Sequence, residues 1–431
     1  MSPVILVTPE DSLVHENVSI VVNGLEYQKN YLLELRLLHK VGIYRSYGVF
    51  KSTVTGCIDL SKIAPIRGTY SGVNESGLFE SLEPTDTVRY GGYCNCTPPV
   101  DFKYQLLVKN LNGTVLGEKS LCRRLMHPLV ERIEVEEAYP EGTTGKPKVT
   151  GTMFKPPGNG PFPTIIDISG TGGGLNEQKG AALASRGFAV LCLAFFKYKD
   201  LPYELQEVEL RYFEDAINFV TSLPYTNDRI GFQGISFGGT LVMFLTTRFK
   251  QIKAACSING SFTMDEFAHV LIDGKQPPVG RFINQGIEDI WYLNDLMVYT
   301  DMVRNLKLED GAGFKFEDSS PETAFRFSLA VDDLSTPTVF VGKVLSEKLR
   351  NLNRKVEVHY VSGGHLLDPP CFPHHEAVFS AFAGTFQAYG GETSLHGKSQ
   401  FEVWEKTVQF FSEHLGAPTP LPDYSRHLAK L

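Results

Sequence analysis

The stretch GFQGISFGGT, residues 231–240, places Ser236 between Gly234 and Gly238 in the pattern Gly-x-Ser-x-Gly. A strand-like apolar run, RIGFQGI, leads into the serine, and a helix-like run, GGTLVMFLTTRF, follows it. In this context the pattern is typical of a nucleophile elbow, a strained turn that exposes the serine hydroxyl and leaves no room for side chains at the flanking glycines. The stretch therefore predicts Ser236 as a nucleophile at the end of a buried strand.

A serine nucleophile needs a base and an orienting acid, which in such a fold follow in the order serine, acid, histidine. Asp332 and Asp333 come just after the strand-like run FRFSLAV, and His365 follows the next strand-like run, VEVHYV. We expect Asp333 to be the acid because it lies further into the loop than Asp332. Ser236, Asp333 and His365 are thus the predicted catalytic residues. Their occurrence in the expected order is stronger evidence for such a site than any one of them alone.

Other polar residues near these segments have plainer interpretations. His359 lies within a predicted strand, and His374 and His375 are expected to begin a helix, packed or solvated. Asp368 is too close in sequence to His365 to support its ring from behind.

An acyl-transfer site also needs donors for the developing oxyanion. We expect the backbone amide of Phe237 and one amide of the run SGTGGG, that of Gly172 or Gly173, to supply them, because this run follows an early strand. A phosphate-binding loop is the alternative for GTGGG. The Gly-Lys-Ser/Thr and Gly-x-Gly-x-x-Gly patterns of nucleotide-binding loops are both missing from it.

The hydrophobic periodicity of the sequence changes near residue 145. Before it, runs such as YLLELRLL and DFKYQLLVKN alternate with a period of two, and Asn112-Gly113 predicts a two-residue hairpin turn. After it, strand and helix patterns alternate, as in TIIDIS, EQKGAALASRG, FAVLCLAFF and a helical pattern from Tyr203 to Leu223. We therefore predict an α/β-hydrolase domain preceded by a smaller all-β, immunoglobulin-like sandwich. The expected divisions are residues 1–140, 141–418 with an insertion or lid at 261–322, and a tail at 419–431.

Composition excludes several classes of protein. The formal charge of -8 over 431 residues argues against a nucleic-acid binder. The longest apolar run, at 188–196, is far too short to span a bilayer, and the N-terminal run lacks the features of a secretory signal. Seven scattered cysteines favour a reducing compartment. Cys94 and Cys96 have no second pair and no histidine close in sequence, so no metal site is expected.

The chain ends in Ala429-Lys430-Leu431, a close variant of the Ser-Lys-Leu peroxisomal address. A proline-rich segment, GAPTPLPDYS, precedes it and is expected to present it to an import receptor. The alternative is a helix end that happens to be basic. We expect the peroxisomal matrix as the location, with the cytosol as the alternative.

The series PFPTIIDISGTGGG, LAFFKYKDLP, GISFGG, SINGS, GGHLLDPPCFP and YGGE resembles the family of type I acyl-CoA thioesterases and bile acid-CoA:amino acid N-acyltransferases. The resemblance is strong from about residue 145 to 416 and implies a β-sandwich domain followed by an α/β-hydrolase domain. It places the acid and the base on Asp333 and His365, although AVDD lacks the glycine that the family usually has there. The nucleophile is serine in the family's thioesterases and cysteine in its amino acid conjugating enzyme, so Ser236 implies a hydrolase.

The sequence thus predicts hydrolysis of fatty acyl-CoA to fatty acid and coenzyme A through a serine acyl-enzyme, without a cofactor. Lys197 and Lys199 are candidate contacts for the phosphates of the coenzyme, with ordinary solvated lysines as the alternative. Transfer of the acyl group to glycine or taurine, another hydrolase such as a peptidase or carboxylesterase, and a non-enzymatic binding protein remain open alternatives.

Overall fold

The N-terminal part of the computed structural model, which describes residues 2–138, 147–380 and 384–424, is built from two sheets. One sheet has the strand order β1-β3-β6, and the other has the order β2-β10-β9-β4-β5-β7, with β8 paired to β5. A single short helix, α1 (Gly77–Glu80), occurs among the described residues of this part. Its strands are β1 (Val4–Thr8), β2 (Asp11–Leu13), β3 (Ser19–Asn23), β4 (Asn30–His39), β5 (Gly42–Lys51), β6 (Ile58–Asp59), β7 (Arg67–Gly68), β8 (Glu83–Pro84), β9 (Phe102–Lys109) and β10 (Val115–Arg124).

The period-two patterns of β4 and β9 face the interior of this sandwich, as predicted. The alternate residues of both strands are buried, namely Tyr31, Leu33, Leu35, Leu37, Phe102, Tyr104, Leu106 and Val108. The predicted two-residue turn between β9 and β10 is wrong, because three residues, 111–113, connect Asn110 to Thr114. Gly113 adopts a left-handed conformation (φ 85°), and the Asn110 side chain accepts the amides of Asn112 and Thr114, which stabilises the longer turn.

The second part of the chain is organised around an eight-stranded sheet of order β11-β12-β14-β13-β15-β16-β21-β22. Strands β11 and β12 are antiparallel to their neighbours, and all strands from β14 to β22 along this order run parallel. This mostly parallel sheet with its crossover helices is the predicted α/β-hydrolase architecture. Its strands are β11 (Glu131–Ala138), β12 (Pro147–Lys155), β13 (Phe162–Ile168), β14 (Ala189–Ala194), β15 (Thr226–Ile235), β16 (Ile252–Ile258), β21 (Ala324–Ala330) and β22 (Lys355–Val361).

Helices cover both faces of this sheet: α2 (Gln178–Ala184), α3 (Arg211–Ser222), α4 (Phe237–Thr246), α6 (Thr338–Asn351) and α7 (Thr393–Leu415). Helix α3 begins later than the pattern from Tyr203 predicted. Val208 and Leu210 instead exchange backbone hydrogen bonds with Leu271 of the insertion, which holds this stretch extended. The prediction that His374 and His375 begin a helix is also wrong, because both are buried in the loop before β23 (Ala377–Ser380).

The insertion at 261–322 contains short elements: β17 (Gly280–Arg281), a 3₁₀ helix (Ile283–Asp289), β18 (Trp291–Leu293), β19 (Leu296–Val298), α5 (Thr300–Arg304), β20 (Lys307–Leu308) and a second 3₁₀ helix (Phe316–Asp318). Strand β19 pairs with β24 (Thr385–Ala388), which pairs with β23. The insertion is therefore connected to the segment that follows the predicted catalytic histidine.

Two apolar cores lie on opposite faces of the central sheet. Ile165 and Val190 belong to one core, whereas their neighbours Ile166 and Leu191 belong to the other. The first core continues into the sandwich, where it includes Leu33. The two parts of the chain therefore share one buried interface. Because β11 already belongs to the central sheet, we propose the boundary between Arg124 and Glu131 rather than at residue 140.

The described part of the proline-rich tail, up to Tyr424, packs on the body of the protein. Tyr424 is buried, its hydroxyl donates to Asp11 at 3.3 Å, and its ring packs edge-on against His127. The predicted address at 429–431 lies outside the described residues. Within the described residues, the helices are all too short or too polar to span a membrane.

Candidate active site

Ser236 lies on a tight turn between the end of β15 and the start of α4. Its backbone has φ 57° and ψ -129°, a conformation that is strained for a residue with a side chain. A Cβ atom on Gly234 would collide with the backbone of Gly238, and one on Gly238 would collide with the carbonyl oxygen of Ser169. The predicted steric role of the two glycines is thus present, and the turn presents the Ser236 hydroxyl above the carboxyl edge of the sheet.

The three predicted catalytic side chains form one hydrogen-bonded chain. The Ser236 hydroxyl lies 2.8 Å from Nε2 of His365, and Nδ1 of His365 lies 2.7 Å from Oδ2 of Asp333. Because a carboxylate only accepts hydrogen bonds, Nδ1 carries the proton and Nε2 is left to accept the hydroxyl proton. This tautomer is the one that a general base for Ser236 requires.

Asp333 is held by its backbone surroundings. Its Oδ1 accepts the amides of Ser335 and Thr336 at 2.7 and 2.9 Å, and only 5% of the residue is exposed. Asp332 is exposed and points elsewhere, with its Oδ2 accepting the amide of Gly363 at 3.2 Å. The geometry therefore favours Asp333 over Asp332 as the partner of the histidine.

The ring of His365 is buried and packs against Tyr389. The ring centroids lie 4.9 Å apart, and the backbone amide of His365 donates to the Tyr389 carbonyl at 2.9 Å. Burial and then the charge of Asp333 raise the pKa of Tyr389, so its hydroxyl stays protonated. A neutral aromatic neighbour thus fixes the position of the imidazole.

The predicted oxyanion donors differ in whether their backbone amides already donate a hydrogen bond within the protein. Phe237 is the first residue of α4, where an amide has no acceptor within the helix. A Cβ on Gly170 would lie 2.9 Å from the Cβ of Ser236, which places the glycine-rich loop beside the nucleophile. The amide of Gly173 donates to the Gly170 carbonyl at 3.2 Å, so it is engaged within the turn. Of the two predicted glycines, Gly172 therefore fits the role better.

Two protein-family models match the chain. "Acyl-CoA thioester hydrolase/BAAT N-terminal region" matches residues 15–137, and "BAAT / Acyl-CoA thioester hydrolase C terminal" matches residues 208–417. Acyl-coenzyme A thioesterase 1 of Homo sapiens is 30% identical over 418 residues, which cover 93% of this chain and 94% of the human protein. The chain belongs to the acyl-CoA thioester hydrolase/BAAT family.

The names of two further relatives include a cellular compartment. Acyl-coenzyme A thioesterase 2, mitochondrial, of Mus musculus is 30% identical and covers 93% of this chain and 87% of its own. Peroxisomal succinyl-coenzyme A thioesterase of Mus musculus is 28% identical, and the match covers 93% of this chain and 94% of the mouse protein. The acyl-CoA thioester hydrolase/BAAT family therefore occurs in more than one compartment.

The two lysines predicted as coenzyme contacts differ in their surroundings. Lys199 forms an ion pair with Glu136 at 3.1 Å. Lys197 is exposed, lies beside Gly173 and places its ammonium 5.5 Å from the ring centroids of Phe196 and Tyr203. Among the described residues, Lys197 has no carboxylate partner within ion-pair distance. Of the two lysines, Lys197 thus has the ammonium group that no described carboxylate occupies and that is free to meet an anion beside the glycine-rich loop.

Sequence reasoning missed a buried polar network around Asp368, in the loop that also carries His365. Asp368, which was set aside because it is too close in sequence to His365, forms an ion pair with buried Lys179 at 2.7 Å and accepts the Tyr93 hydroxyl at 2.9 Å. Tyr93 comes from the sandwich, so this network joins the two parts of the chain. Its signal in the sequence was a lysine within an otherwise apolar helix.

Cys94 and Cys96, which have no histidine close in sequence, have one close in space. Nε2 of His39, at the end of β4, lies 3.8 Å from Sγ of Cys96. Both cysteines are fully buried. His359, as predicted, lies within a strand, where it contacts Glu402 and Arg326.

Proposed function

We propose that this protein hydrolyses acyl-CoA thioesters to a carboxylic acid and coenzyme A through an acyl-enzyme on Ser236. The observation that carries the proposal is the chain of hydrogen bonds from Ser236 through His365 to Asp333 in a member of the acyl-CoA thioester hydrolase/BAAT family. Relatives of nearly full-length coverage are named acyl-coenzyme A thioesterases. Their names support an acyl-CoA substrate.

In the first step the Ser236 oxygen attacks the carbonyl carbon of the thioester while Nε2 of His365 takes its proton. A carbon–oxygen bond forms, and the carbonyl electron pair moves to the oxygen. The amides of Phe237 and Gly172 donate to this oxyanion, and the N-terminus of α4 adds its positive dipole end. Asp333 stabilises the imidazolium that forms.

Collapse of this intermediate breaks the carbon–sulfur bond, and the electron pair leaves with the sulfur of coenzyme A. A thiol has a pKa near 8.5, so the thiolate departs with little help from a proton donor. The proton that His365 took from Ser236 passes to the departing sulfur or to solvent, which leaves the imidazole neutral again. Nε2 of His365 then takes a proton from water as the water oxygen attacks the acyl-enzyme, and it returns that proton to Ser236 as the acid is released.

The same chemistry with an amine in place of water would give an N-acyltransferase. The serine nucleophile supports water as the acceptor. The insertion at 261–322, through the pairing of β19 with β24, is close enough in the fold to act as the lid that shapes the acyl site.

We also propose that Lys197 contacts a phosphate of the coenzyme and that Ala429-Lys430-Leu431 binds a peroxisomal import receptor. The first is supported by the exposed, unpaired ammonium of Lys197 among the described residues beside the glycine-rich loop. The second is supported by the tripeptide itself and by the existence of a peroxisomal relative. A fluorescent fusion with and without the last three residues, compared with a peroxisomal marker, tests the address.

Release of coenzyme A thiol from acyl-CoAs of increasing chain length tests the main proposal. Wild type is expected to release thiol, and Ser236→Ala to lose on the order of 10,000-fold or more in kcat. Ser12→Ala is the matched control, because Ser12 is a buried serine in the sandwich whose hydroxyl makes no hydrogen bond to the described residues. Equal rates for wild type and Ser236→Ala would contradict the proposal.

The product distinguishes the alternatives. Addition of glycine or taurine should leave the free acid as the product, whereas an amide product would identify an acyltransferase. Thiol release from no acyl-CoA, together with cleavage of peptides or simple esters, would identify another hydrolase of the same fold.

A further inference from the structure

A second cluster of reactive side chains lies away from the catalytic residues, within the interface between the sandwich and the central sheet. It consists of His39, Cys94 and Cys96, whose Nε2 and two Sγ atoms all lie within 4.8 Å of one another. Both cysteines are fully buried, and His39 is half-buried. Two thiols shielded from bulk water and a half-buried imidazole are therefore gathered in one place.

Two residues next to this cluster, one in sequence and one through His375, carry a buried oxygen without a hydrogen-bond partner among the described residues. The Tyr44 hydroxyl and the Asn95 carboxamide oxygen are buried without a hydrogen bond to any described residue. Asn95 lies between the two cysteines in sequence. Tyr44 packs edge-on against His375, whose Nε2 accepts the amide of Cys94 at 3.2 Å. Buried polar atoms without a partner are rare and point to a bound water or ion.

The donor set is that of a soft or borderline divalent cation. Zinc binds cysteine sulfur at about 2.3 Å and histidine nitrogen at about 2.0 Å in tetrahedral geometry, so its ligands lie about 3.5–4 Å apart. The 3.8 Å between His39 and Cys96 agrees with this. Two thiolates neutralise the two charges of the cation, which lowers the cost of burying the group.

We propose that His39, Cys94 and Cys96 bind one zinc-class divalent cation, with a water as the fourth ligand. The two thiols lose their protons to solvent as the two metal–sulfur bonds form. Binding through Nε2 requires the ring proton on Nδ1, so the long contact of 3.4 Å from the Val41 amide to Nδ1 is given up on loading.

The cation would brace the sandwich against the loop that carries His365. Tyr93 precedes Cys94 and donates to Asp368, three residues after His365, and the Cys94 amide donates to His375 of the same loop. The site does not touch the catalytic hydrogen-bond chain. Its role is therefore structural, and it is independent of the substrate proposed above.

Metal content of the full-length protein tests the site. The reduced, metal-stripped protein is equilibrated with Zn²⁺, freed of unbound metal and analysed for zinc. Wild type is expected to hold one zinc per chain, and the double variant Cys94→Ser/Cys96→Ser to hold none. Cys57→Ser and Cys122→Ser, which lie outside the cluster, are expected to retain it. So is His414→Ala, which removes a ligand from an exposed group formed with Glu357 and Glu413.

A second readout covers the case in which the double variant fails to fold. His39→Gln replaces a half-buried residue and is expected to weaken zinc binding by on the order of 10- to 100-fold or more. With Co²⁺, wild type should show a thiolate-to-metal charge-transfer band, and zinc should raise its melting temperature more than that of His39→Gln.

Three outcomes overturn the proposal. One is the absence of stoichiometric zinc in wild type, and another is zinc binding that the variants leave unchanged. The third is formation of a reversible Cys94–Cys96 disulfide with a mild disulfide oxidant in a protein that binds no metal, which would identify a redox pair instead.

Discussion

The side chain of Asn259 donates a hydrogen bond to the backbone carbonyl of His365 at 2.7 Å. The same nitrogen lies 3.3 Å from the carbonyl of Gly364, and the side-chain oxygen accepts the amide of Ala330 at 2.8 Å. Ala330 ends the strand that leads to Asp333. One buried carboxamide therefore ties together the loops that carry the acid and the base, and it sits directly after β16, next to the strand that delivers Ser236.

Asn259→Asp is expected to lower kcat by about 10- to 100-fold with little change in KM. Aspartate keeps the acceptor for Ala330 but replaces the donor to His365 with an oxygen that the carbonyl repels. The unfolding free energy should fall by about 1–3 kcal/mol because a buried polar group loses its partner. Steady-state kinetics and denaturant unfolding measure both effects.

The control for this change is Asn353→Asp. Asn353 shares the left-handed backbone conformation, with φ 53° against 48° for Asn259, but it is exposed after α6. It should change neither kcat nor stability measurably. A loss of activity of the same size in both variants would refute the positioning role of Asn259.

The two adjacent aspartates should respond differently to removal of their charge. Asp333→Asn is expected to lower kcat by roughly 10,000-fold, because its amide group favours the wrong tautomer of His365. Asp332→Asn keeps an oxygen for the Gly363 amide at an exposed position, so its effect should stay within about twofold. Comparison of kcat/KM for both variants measures this, and a larger loss at Asp332 would reverse the choice of acid.

The oxyanion role of the Gly172 amide can be tested without changing a side chain contact. A Cβ on Gly172 meets no heavy atom of the described residues within 4 Å, so Gly172→Ala should fold normally and keep near-wild-type kcat. Gly172→Pro removes the donor and is expected to lower kcat by about 100- to 1,000-fold. Circular dichroism and melting temperature check that the loop change has not unfolded the protein. Equal kcat values for Gly172→Ala and Gly172→Pro would show that the Gly172 amide does not donate to the oxyanion.

The hydrogen-bonded chain of Ser236, His365 and Asp333 could be predicted because the order of these residues along the sequence is set by the fold. Each lies at the carboxyl end of a strand, and parallel strands bring these ends to one edge of the sheet. Ser236 carries a local signal in its glycines, and Asp333 and His365 follow recognisable apolar strands. The same reasoning predicted the alternation of strands and helices after residue 145 and the positions of α2 and α4.

Other features could not be predicted because they depend on contacts between distant segments. Asn259 contacts the ends of two later strands, and His39 meets Cys96 across 57 residues of sequence, within the folded sandwich. The late start of α3 results from pairing of Leu210 with Leu271, which no local pattern indicates. Turn length after β9 was missed because the Asn110 side chain, not the Asn112-Gly113 pair alone, defines the turn.

A buried carboxyl group in the central sheet makes stability depend on pH. Asp167 on β13 is 4% exposed and accepts a hydrogen bond from Gln233 on β15 at 3.0 Å. Burial raises the pKa of Asp167 from 3.8 to about 6, although Lys179 and Gln233 partly oppose the shift. The folded protein therefore holds this proton more tightly than the unfolded chain does.

The direction of the effect follows from linkage. A carboxyl whose folded pKa exceeds its unfolded pKa stabilises the fold at low pH, and that contribution disappears as the pH rises from about 4 through about 6. Asp167→Asn keeps an acceptor for Gln233 and cannot ionise. The variant should therefore match wild type near pH 4 and be more stable at pH 8, by up to about 3 kcal/mol at 1.36 kcal/mol per pKa unit.

Denaturant unfolding of wild type and Asp167→Asn at pH 4 and pH 8 measures this difference. Asp228→Asn, at an exposed position near the start of β15, is the control and should give a difference that does not change with pH. If Asp167→Asn is less stable than wild type at pH 8, the ionised carboxylate must instead stabilise the fold through buried Lys179. In that case removal of its charge would weaken the Lys179–Asp368 pair, and with it the brace between the sandwich and the histidine loop.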